Sequence, residues 1–469
     1  MPPSSSYLAF DLGASTGRAV LGTLEGDRMR TDVVHRFDTP VIEAGEHLVW
    51  DIEGLWQELT TGLAEALKAA PALRSLSVDS WAVDYVPLGV DGTPVRPPYC
   101  YRDPRTNGVM ERAFEVLSAE QIYAHTGIQF LQFNTLFQLL ADRAEDRPGM
   151  RRVHRYLPIA DYFNVRFGGR AAVEVTMAST TQLLDVHTQH WSLAVFQAFG
   201  LDLDCWPEVV PSGTRLGRVC SAPDAAVIAS CSHDTGSAVA AAPVIAADRS
   251  WAFVSSGTWS LLGVERTAPL LTPDARAAGF THEAGADGTI RFLENLTGLW
   301  ALQECVREWG AADWTSLEAE AREAPAGLAL IDLADARFLP RGPMADRLRG
   351  WCLEHGQAVP ATRGALVRVV LESIAASYAG ALADLRRVTA QPIEVLHIFG
   401  GGSRNRLLCQ LAADACGVPV IAGPAEATAL GNLLLQARTL GDLPAGLTLR
   451  QVAARSSTLV THTPTTPGT

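Results

Sequence analysis

Two stretches of the chain, 244 residues apart, follow one plan. YLAFDLG, from position 7, is an apolar strand that ends at Asp11. A turn of small residues, GASTGR, leads into AVLGTLEGDRM, a second strand closed by an E-G-D turn signal. WAFVSSGTWSLLGVE, from position 251, repeats the order: apolar strand, small and hydroxyl-bearing turn, strand. A plan repeated half a chain later constrains the fold to an internal duplication, two similar domains that each open on a β-hairpin. Strand and helix signals alternate elsewhere, as in α/β proteins. SLSVDSWAVDYVPLGVDGTPV is expected to be a strand with two aspartates near its middle, followed by a turn at Asp91-Gly92. Residues 115–200 read as mixed helix and loop. A helix is expected at about 364–387, with Val367, Val370, Leu371, Ile374, Tyr378, Leu382 and Leu385 on one face. GGGSRN follows the strand VLHIF and is expected to open a helix. The domains are drawn at 7–243 and 244–455, with 1–6 and 456–469 as disordered tails.

Composition narrows the chemistry. Lys68 is the only lysine, which excludes a P-loop lysine, a Schiff base or an S-x-x-K centre anywhere else. Its setting, with Leu55, Leu59, Leu63 and Leu67 at i, i+4 spacing and Pro71 beyond, puts it in the last turn of an amphipathic helix. A formal charge of −13 argues against nucleic acid as partner. No secretory leader pattern is read at MPPSSSYLAF, and no run of 18 apolar residues occurs, so a cytoplasmic chain without membrane spans is expected. The eight cysteines form no C-x-x-C pair. Cys409 and Cys416, seven residues apart on one helix, stand about 10 Å from each other, beyond disulfide reach.

Four segments carry candidate chemistry. GASTG matches G-x-S-x-G with Ser15 as nucleophile, but that motif needs a strand-to-helix turn and here a strand follows. The competing readings are a hairpin whose N–H groups and hydroxyls face phosphate, with Asp11 holding a hard cation through water, or an ordinary turn capped by Asp11. GGGSRN offers N–H groups to an anion or is a plain tight turn. SSGTWS presents hydroxyls, Thr258 at the tip, to a phosphate or is a polar hairpin turn. In SCSHDTGSAVAAAP a charge stands among small residues, an expensive arrangement unless it is used. Asp234 is either a helix N-cap or the base that takes a proton from a sugar hydroxyl, and His233 is either a sugar contact or a packed histidine.

Together DLGASTGR, VDSWAVDYV, YRDPRT, FNTLFQL, DYFNVRF, TTQLLD, HDTGSAVAAAP, SSGTWSLLG, ENLTGLWALQE, GGGSRN and ADACGVPV with AGPAEATALGN resemble the FGGY carbohydrate kinases, from Leu8 to about Gln436. The resemblance implies an α/β fold of two actin-like ATPase (ribonuclease H-like) domains with a cleft between them. It implies ATP against Ala14, Ser15, Thr16, Gly17 and Arg18, with further nucleotide contacts from Thr258, Gln303 and Gly401, and Mg²⁺ near Asp11. It implies a sugar held by Ala82, His233, Asp234, Thr235 and Asn295, with Asp234 as proton acceptor. The implied reaction is phosphorylation of a ketose at a primary hydroxyl, L-rhamnulose first, by a monomer or homodimer. Kinases for L-fuculose, D-xylulose or a polyol, and a binding regulator without turnover, are the alternatives. Ala82 stands where glycine is usual; the extra methyl, costing about 1–3 kcal/mol if it overpacks, bears on which sugar fits.

Overall fold

The computed structural model describes residues 5–244, 249–310 and 313–465. The chain forms two compact units that interleave in sequence. The first comprises Met1–Ile245, Glu265–Phe292 and Ala427–Ser456; the second comprises Ala246–Val264, Leu293–Glu426 and Ser457–Thr469.

The sheet of the first unit runs in the order Thr214–Val219, Ala222–Ala229, Leu73–Ser80, Ser5–Leu12, Thr16–Glu25, Arg28–Asp38. Ser5–Leu12 pairs antiparallel with its hairpin partner and parallel with Leu73–Ser80. A strand flanked on both sides and covered on both faces is apolar through its middle, here Tyr7 to Phe10, and alternate side chains divide between the two faces. Leu8, Phe10 and Leu12 pack with Leu55, Leu59 and Leu63 of the helix Ile52–Ala69. Tyr7 and Ala9 pack with Leu430, Leu433 and Leu434 of the helix Ala427–Thr439. That second packing ties residues 427–456 to the first unit although the chain reaches them last. Lys68 does lie in the last turn of its helix, ion-paired with Glu65 at 2.7 Å.

The second unit repeats the plan. Trp251–Ser256 and Trp259–Arg266 form the hairpin, Val395–Phe399 joins Trp251–Ser256 in parallel, and Val420–Ala422 joins Val395–Phe399 in parallel. The helix Arg363–Thr389 buries all seven residues assigned to its apolar face. It is the one helix among the described residues long and apolar enough to cross a membrane, and 67% of that window is buried in the protein.

Three expectations need correction. The stretch from 73 to 88 is two strands, Leu73–Ser80 and Tyr85–Leu88, because Val83 takes a positive φ of 70° and breaks the extended run. The triple glycine opens a short 3₁₀ turn, Gly401–Arg404, and the helix Arg406–Cys416 starts only after Asn405, whose side chain caps Leu408 N at 2.9 Å. Within the expected tails, Ser5 and Ser6 belong to the first strand, and Val460–His462 pairs antiparallel with Val420–Ala422. Residues 1–4 and 466–469 lie outside the described residues.

Candidate active site

The first turn connects strand to strand, so the hydrolase elbow lacks its helix. Gly13 N donates to Thr16 O at 3.0 Å, Thr39 N to Ser15 O at 3.1 Å, and Thr39 Oγ1 to Gly13 O at 2.9 Å. Held this way, Ser15 and Thr16 stay exposed while Ala14 leans on the core. Gly17 is buried with the Phe37 ring 2.3 Å from where a Cβ would stand, so any larger residue would have to displace that ring. Asp11, 4% exposed, faces Arg18 across the hairpin. Arg18 Nε and Nη2 both donate to Asp11 Oδ2, at 3.0 and 2.8 Å. The guanidinium is therefore aimed at the carboxylate that was expected beside the metal. Asp79 lies opposite Asp11 on the parallel strand and is fully buried. Asn432 Nδ2 donates to its Oδ2 at 2.5 Å, while Oδ1 has no hydrogen-bond partner. Burial, and then the charge of Asp11, hold the Asp79 carboxyl well above the usual range.

Asp234 is the first residue of the helix Asp234–Ala240, and His233 occupies the cap position. Its Oδ1 accepts from Thr235 N at 2.5 Å and Thr235 Oγ1 at 3.1 Å. The side chain keeps 30% of its surface exposed, so it is reachable as well as recessed. Burial raises its carboxyl above the ordinary value, His233 lowers it, and Asp11 adds to the rise; the water that still reaches it damps the effect.

The segment before Asp234 is fastened from below. Glu174, wholly buried, accepts through Oε2 from Ser232 N at 2.9 Å, Thr176 N at 3.0 Å, Thr176 Oγ1 at 2.5 Å and Met177 N at 3.3 Å. Its Oε1 accepts from Ser212 Oγ at 2.5 Å. Thr176 Oγ1 in turn accepts from His233 N at 3.2 Å. Beside it the buried Asp161 accepts from Ser232 Oγ at 3.2 Å. Burial, and next the charge of Glu174, push the Asp161 carboxyl well above its ordinary value.

Ala82 precedes the strained Val83, whose carbonyl accepts from Thr135 Oγ1 at 2.7 Å and Gln138 Nε2 at 3.2 Å. Asp84 then turns inward, where Oδ2 accepts from Trp50 Nε1 at 2.7 Å, Trp81 Nε1 at 3.0 Å and Tyr101 N at 3.2 Å. A β-branched residue at positive φ costs of order 1–3 kcal/mol and persists only when its surroundings enforce it. Asp84 and Gln138 enforce it here.

In the second unit, Thr258 forms the hairpin tip with Gly257. Thr258 O accepts from Trp300 N at 3.2 Å, at the start of the helix Trp300–Trp309. Gln303 sits one turn along, and Thr258 Oγ1 donates to its Oε1 at 3.1 Å. Two of the expected nucleotide contacts thus touch each other. Gly400 and Gly402 pack on Ser256, where added Cβ atoms would stand 2.8 Å from its O and 2.0 Å from its Oγ. Gly401 between them is exposed, with nothing within 4 Å of a Cβ. Asn295 lies on the strand Ile290–Thr297 in the second unit's share of the chain, whereas Ala82, His233, Asp234 and Thr235 belong to the first. Among the described residues no three His, Cys, Asp or Glu side chains are disposed to hold a metal ion by themselves.

The model of the N-terminal domain of FGGY carbohydrate kinases matches residues 6–240, and that of the C-terminal domain matches 252–440. The chain belongs to the FGGY family of carbohydrate kinases. It is 40% identical over 466 residues to the rhamnulokinase of Bacteroides thetaiotaomicron, covering 98% of this chain and 96% of that protein. Identity to the rhamnulokinase of Pectobacterium carotovorum is 40% over 463 residues, covering 98% and 93%. The fold matches the crystal structure of gluconate kinase from Lactobacillus acidophilus with a TM-score of 0.79 at 16% identity, covering 98% of this chain and 94% of that one. As an FGGY member the chain is an enzyme, a sugar kinase with the two-domain architecture of that family.

Sequence reasoning noted Asp79 and Asp84 only as two aspartates of one strand, without a role, and passed over Glu174, Asp161, Glu283 and Arg291. A signal was there: AAVEVTMAST and LPIADYF each set a lone carboxylate among small or apolar residues, the arrangement that singled out Asp234.

Proposed function

We propose that this FGGY kinase transfers the γ-phosphoryl group of ATP to the C1 hydroxyl of L-rhamnulose, with Asp234 as general base. What carries the reading is one carboxylate, partly exposed at a helix start, on a backbone segment fastened by Glu174. The substrate follows from relatives named rhamnulokinase that are 40% identical over nearly the whole chain. The hydroxyl oxygen attacks the γ-phosphorus, its proton passes to Asp234, and the bond to the bridging oxygen of ADP breaks. A carboxyl raised by burial is a better base at neutral pH than an ordinary one. His233, Thr235, Ala82 and Asn295 are assigned to the sugar. Ala14–Arg18, Thr258, Gln303 and Gly401 are assigned to the nucleotide.

Mg²⁺ is the ion that accompanies ATP in such transfers, and it binds through few carboxylates together with phosphate and water. A nearly buried Asp11 that Arg18 engages through Oδ2, with no three-ligand protein cage among the described residues, fits that mode. Asp11 would hold the ion through water, and the ion would supply charge neutralisation at the phosphates. Lys68, exposed at a helix end, is outside this chemistry. Neutral hydroxyls, backbone N–H groups and the Arg18–Asp11 pair take the place of a phosphate-binding lysine.

The test measures ADP release with L-rhamnulose, L-fuculose, D-xylulose and a polyol, for wild type and Asp234→Asn. The Asn variant is expected to lose about 10²–10⁴-fold in kcat with a small change in KM. Turnover within tenfold of wild type removes Asp234 as base. Preference for another sugar of the panel moves the substrate and leaves the base in place.

A further inference from the structure

A buried charged cluster of the first unit lies behind His233. Arg291 is completely buried, and Glu283 nearly so. Arg291 Nε donates to Ala284 O at 3.0 Å, its Nη2 stands 3.1 Å from His233 Nδ1 in hydrogen-bond geometry, and its Nη1 lies 3.0 Å from Glu283 Oε2. Burial raises the Glu283 carboxyl, but Arg291 and His233 outweigh it and leave the group below its ordinary value, so Glu283 is an anion that balances the guanidinium. On the other edge of the ring, His233 Nε2 is 3.4 Å from Asp234 Oδ1.

A guanidinium has only donors and keeps its charge in proteins. The nitrogen it contacts must therefore offer a lone pair, and in a neutral imidazole the proton then sits on the other nitrogen. Glu283 Oε2 is also 3.2 Å from Nδ1 and would draw the proton there, yet that oxygen has no partner in hydrogen-bond alignment, whereas Arg291 Nη2 does. The aligned donor decides the tautomer. We propose that Arg291 is a positioning residue: by donating to His233 Nδ1 it fixes the ring proton on Nε2, so that His233 points an N–H at the Asp234 carboxylate and the sugar hydroxyl beside it. The opposite tautomer would set a nitrogen lone pair against a carboxylate oxygen, which repels the group expected to receive the substrate's proton. This inference rests on the reading of Asp234 as base, and it adds what orients the residue next to that base.

The decisive measurement is ring ¹⁵N–¹H correlation NMR on the full chain without ligands at pH 7.5, with His233→Asn identifying the His233 signals. A proton on Nε2 with Nδ1 unprotonated is the expected result. A proton on Nδ1, or on both nitrogens, overturns the proposal. The wild-type spectrum decides this, so nothing depends on whether a buried arginine can be replaced. Kinetics add a second readout. Arg291→Met is expected to lower kcat about 10- to 100-fold, a part of what the proton acceptor contributes. Arg291→Lys, which still donates, is expected to recover most of that loss. In a His233→Asn background Arg291→Met should cost little more; a full additional loss there refutes action through the ring. Turnover by Asp234→Asn would sink the assignment of the base while leaving the tautomer standing. An Nδ1–H ring would sink this inference while leaving the base standing.

Discussion

Removing Glu174 tests how the segment that leads to Asp234 is held. In Glu174→Ala three buried backbone donors, Ser232 N, Thr176 N and Met177 N, lose their acceptor together. The hydroxyls of Thr176 and Ser212 can rotate toward other partners, but the N–H groups cannot. At about 1–3 kcal/mol for each unpaired buried group, the cost is roughly 3–9 kcal/mol. Relief of the like-charge contact with Asp161 offsets part of it, which places the expectation at the lower end, about 4 kcal/mol. Glu174→Gln is a sharper probe. Its amide oxygen can occupy the Oε2 position and keep all four contacts there, while its NH₂ meets only Ser212 Oγ, an oxygen able to accept. That variant should lose no more than about 1–2 kcal/mol. Urea unfolding monitored at neutral pH reads the stability of both variants, and amide exchange at Ser232 reads the local fastening. With Gln in place kcat should stay within about tenfold of wild type, since Asp234 keeps its support. Glu174→Ala unfolding within 1 kcal/mol of wild type, or Gln proving as damaging as Ala, refutes the reasoning.

Three further outcomes follow from the same geometry. Burial pushes the Asp84 carboxyl up to about 6, against lowering by Gln138, Trp50 and Trp81. A folded value above the unfolded one means stability that is complete below about pH 4 and lost as pH rises through 6. Wild type should therefore lose about 3 kcal/mol relative to Asp84→Asn between pH 4 and 7, measured by urea unfolding at each pH. Gly431→Ala would set a Cβ 1.9 Å from Ser237 O, between the helix Ala427–Thr439 and the helix that starts at Asp234. The overpacking, about 1–3 kcal/mol, exceeds the roughly 1 kcal/mol that Ala gains over Gly in a helix, so Tm and kcat should both fall. Gly401→Ala should leave Tm unchanged and raise the KM for ATP, whereas Gly402→Ala, with its Cβ 2.0 Å from Ser256 Oγ, should lower Tm.

The hairpins were legible because their cause is local. An apolar run that must be buried on both faces, closed by a turn of small residues, reads the same at Tyr7 and at Trp251, and the parallel strand beside each completes the duplicated plan. Asp234 was legible as a charge in costly surroundings, though that it does not hold the helix cap needed coordinates. His233 holds the cap position and Asp234 follows it. The break at Val83 was not legible, since nothing in VDSWAVDY marks a positive φ at a valine. The cause is the inward turn of Asp84, held by Trp50 and Gln138, which are distant in sequence. Glu283 and Arg291 escaped for a related reason. Charges are read as surface by default, and only tertiary packing places these two behind His233.

The supporting carboxylates bear on how the base proposed at Asp234 is tuned in a chain with a single lysine. Burial and the charge of Asp11 raise the Asp234 carboxyl, while His233 and the Thr235 donors lower it. If Asp11 and Asp79 were both free anions, two neighbouring strand ends would repel the phosphates brought to them. Each is dealt with separately. Arg18 clasps Asp11 from across the hairpin. Burial, assisted by Asp11 itself, drives Asp79 toward its neutral form, in which Asn432 still holds one oxygen. Both arrangements reduce the negative charge that reaches Asp234 from this side, where Asp11 adds to the rise of its carboxyl. Arg18→Leu upsets this balance in a defined direction: an unpaired Asp11 raises Asp234 further, and the acid limb of the pH–rate profile moves to higher pH. A limb that stays in place would show that Asp11 and Asp234 do not communicate.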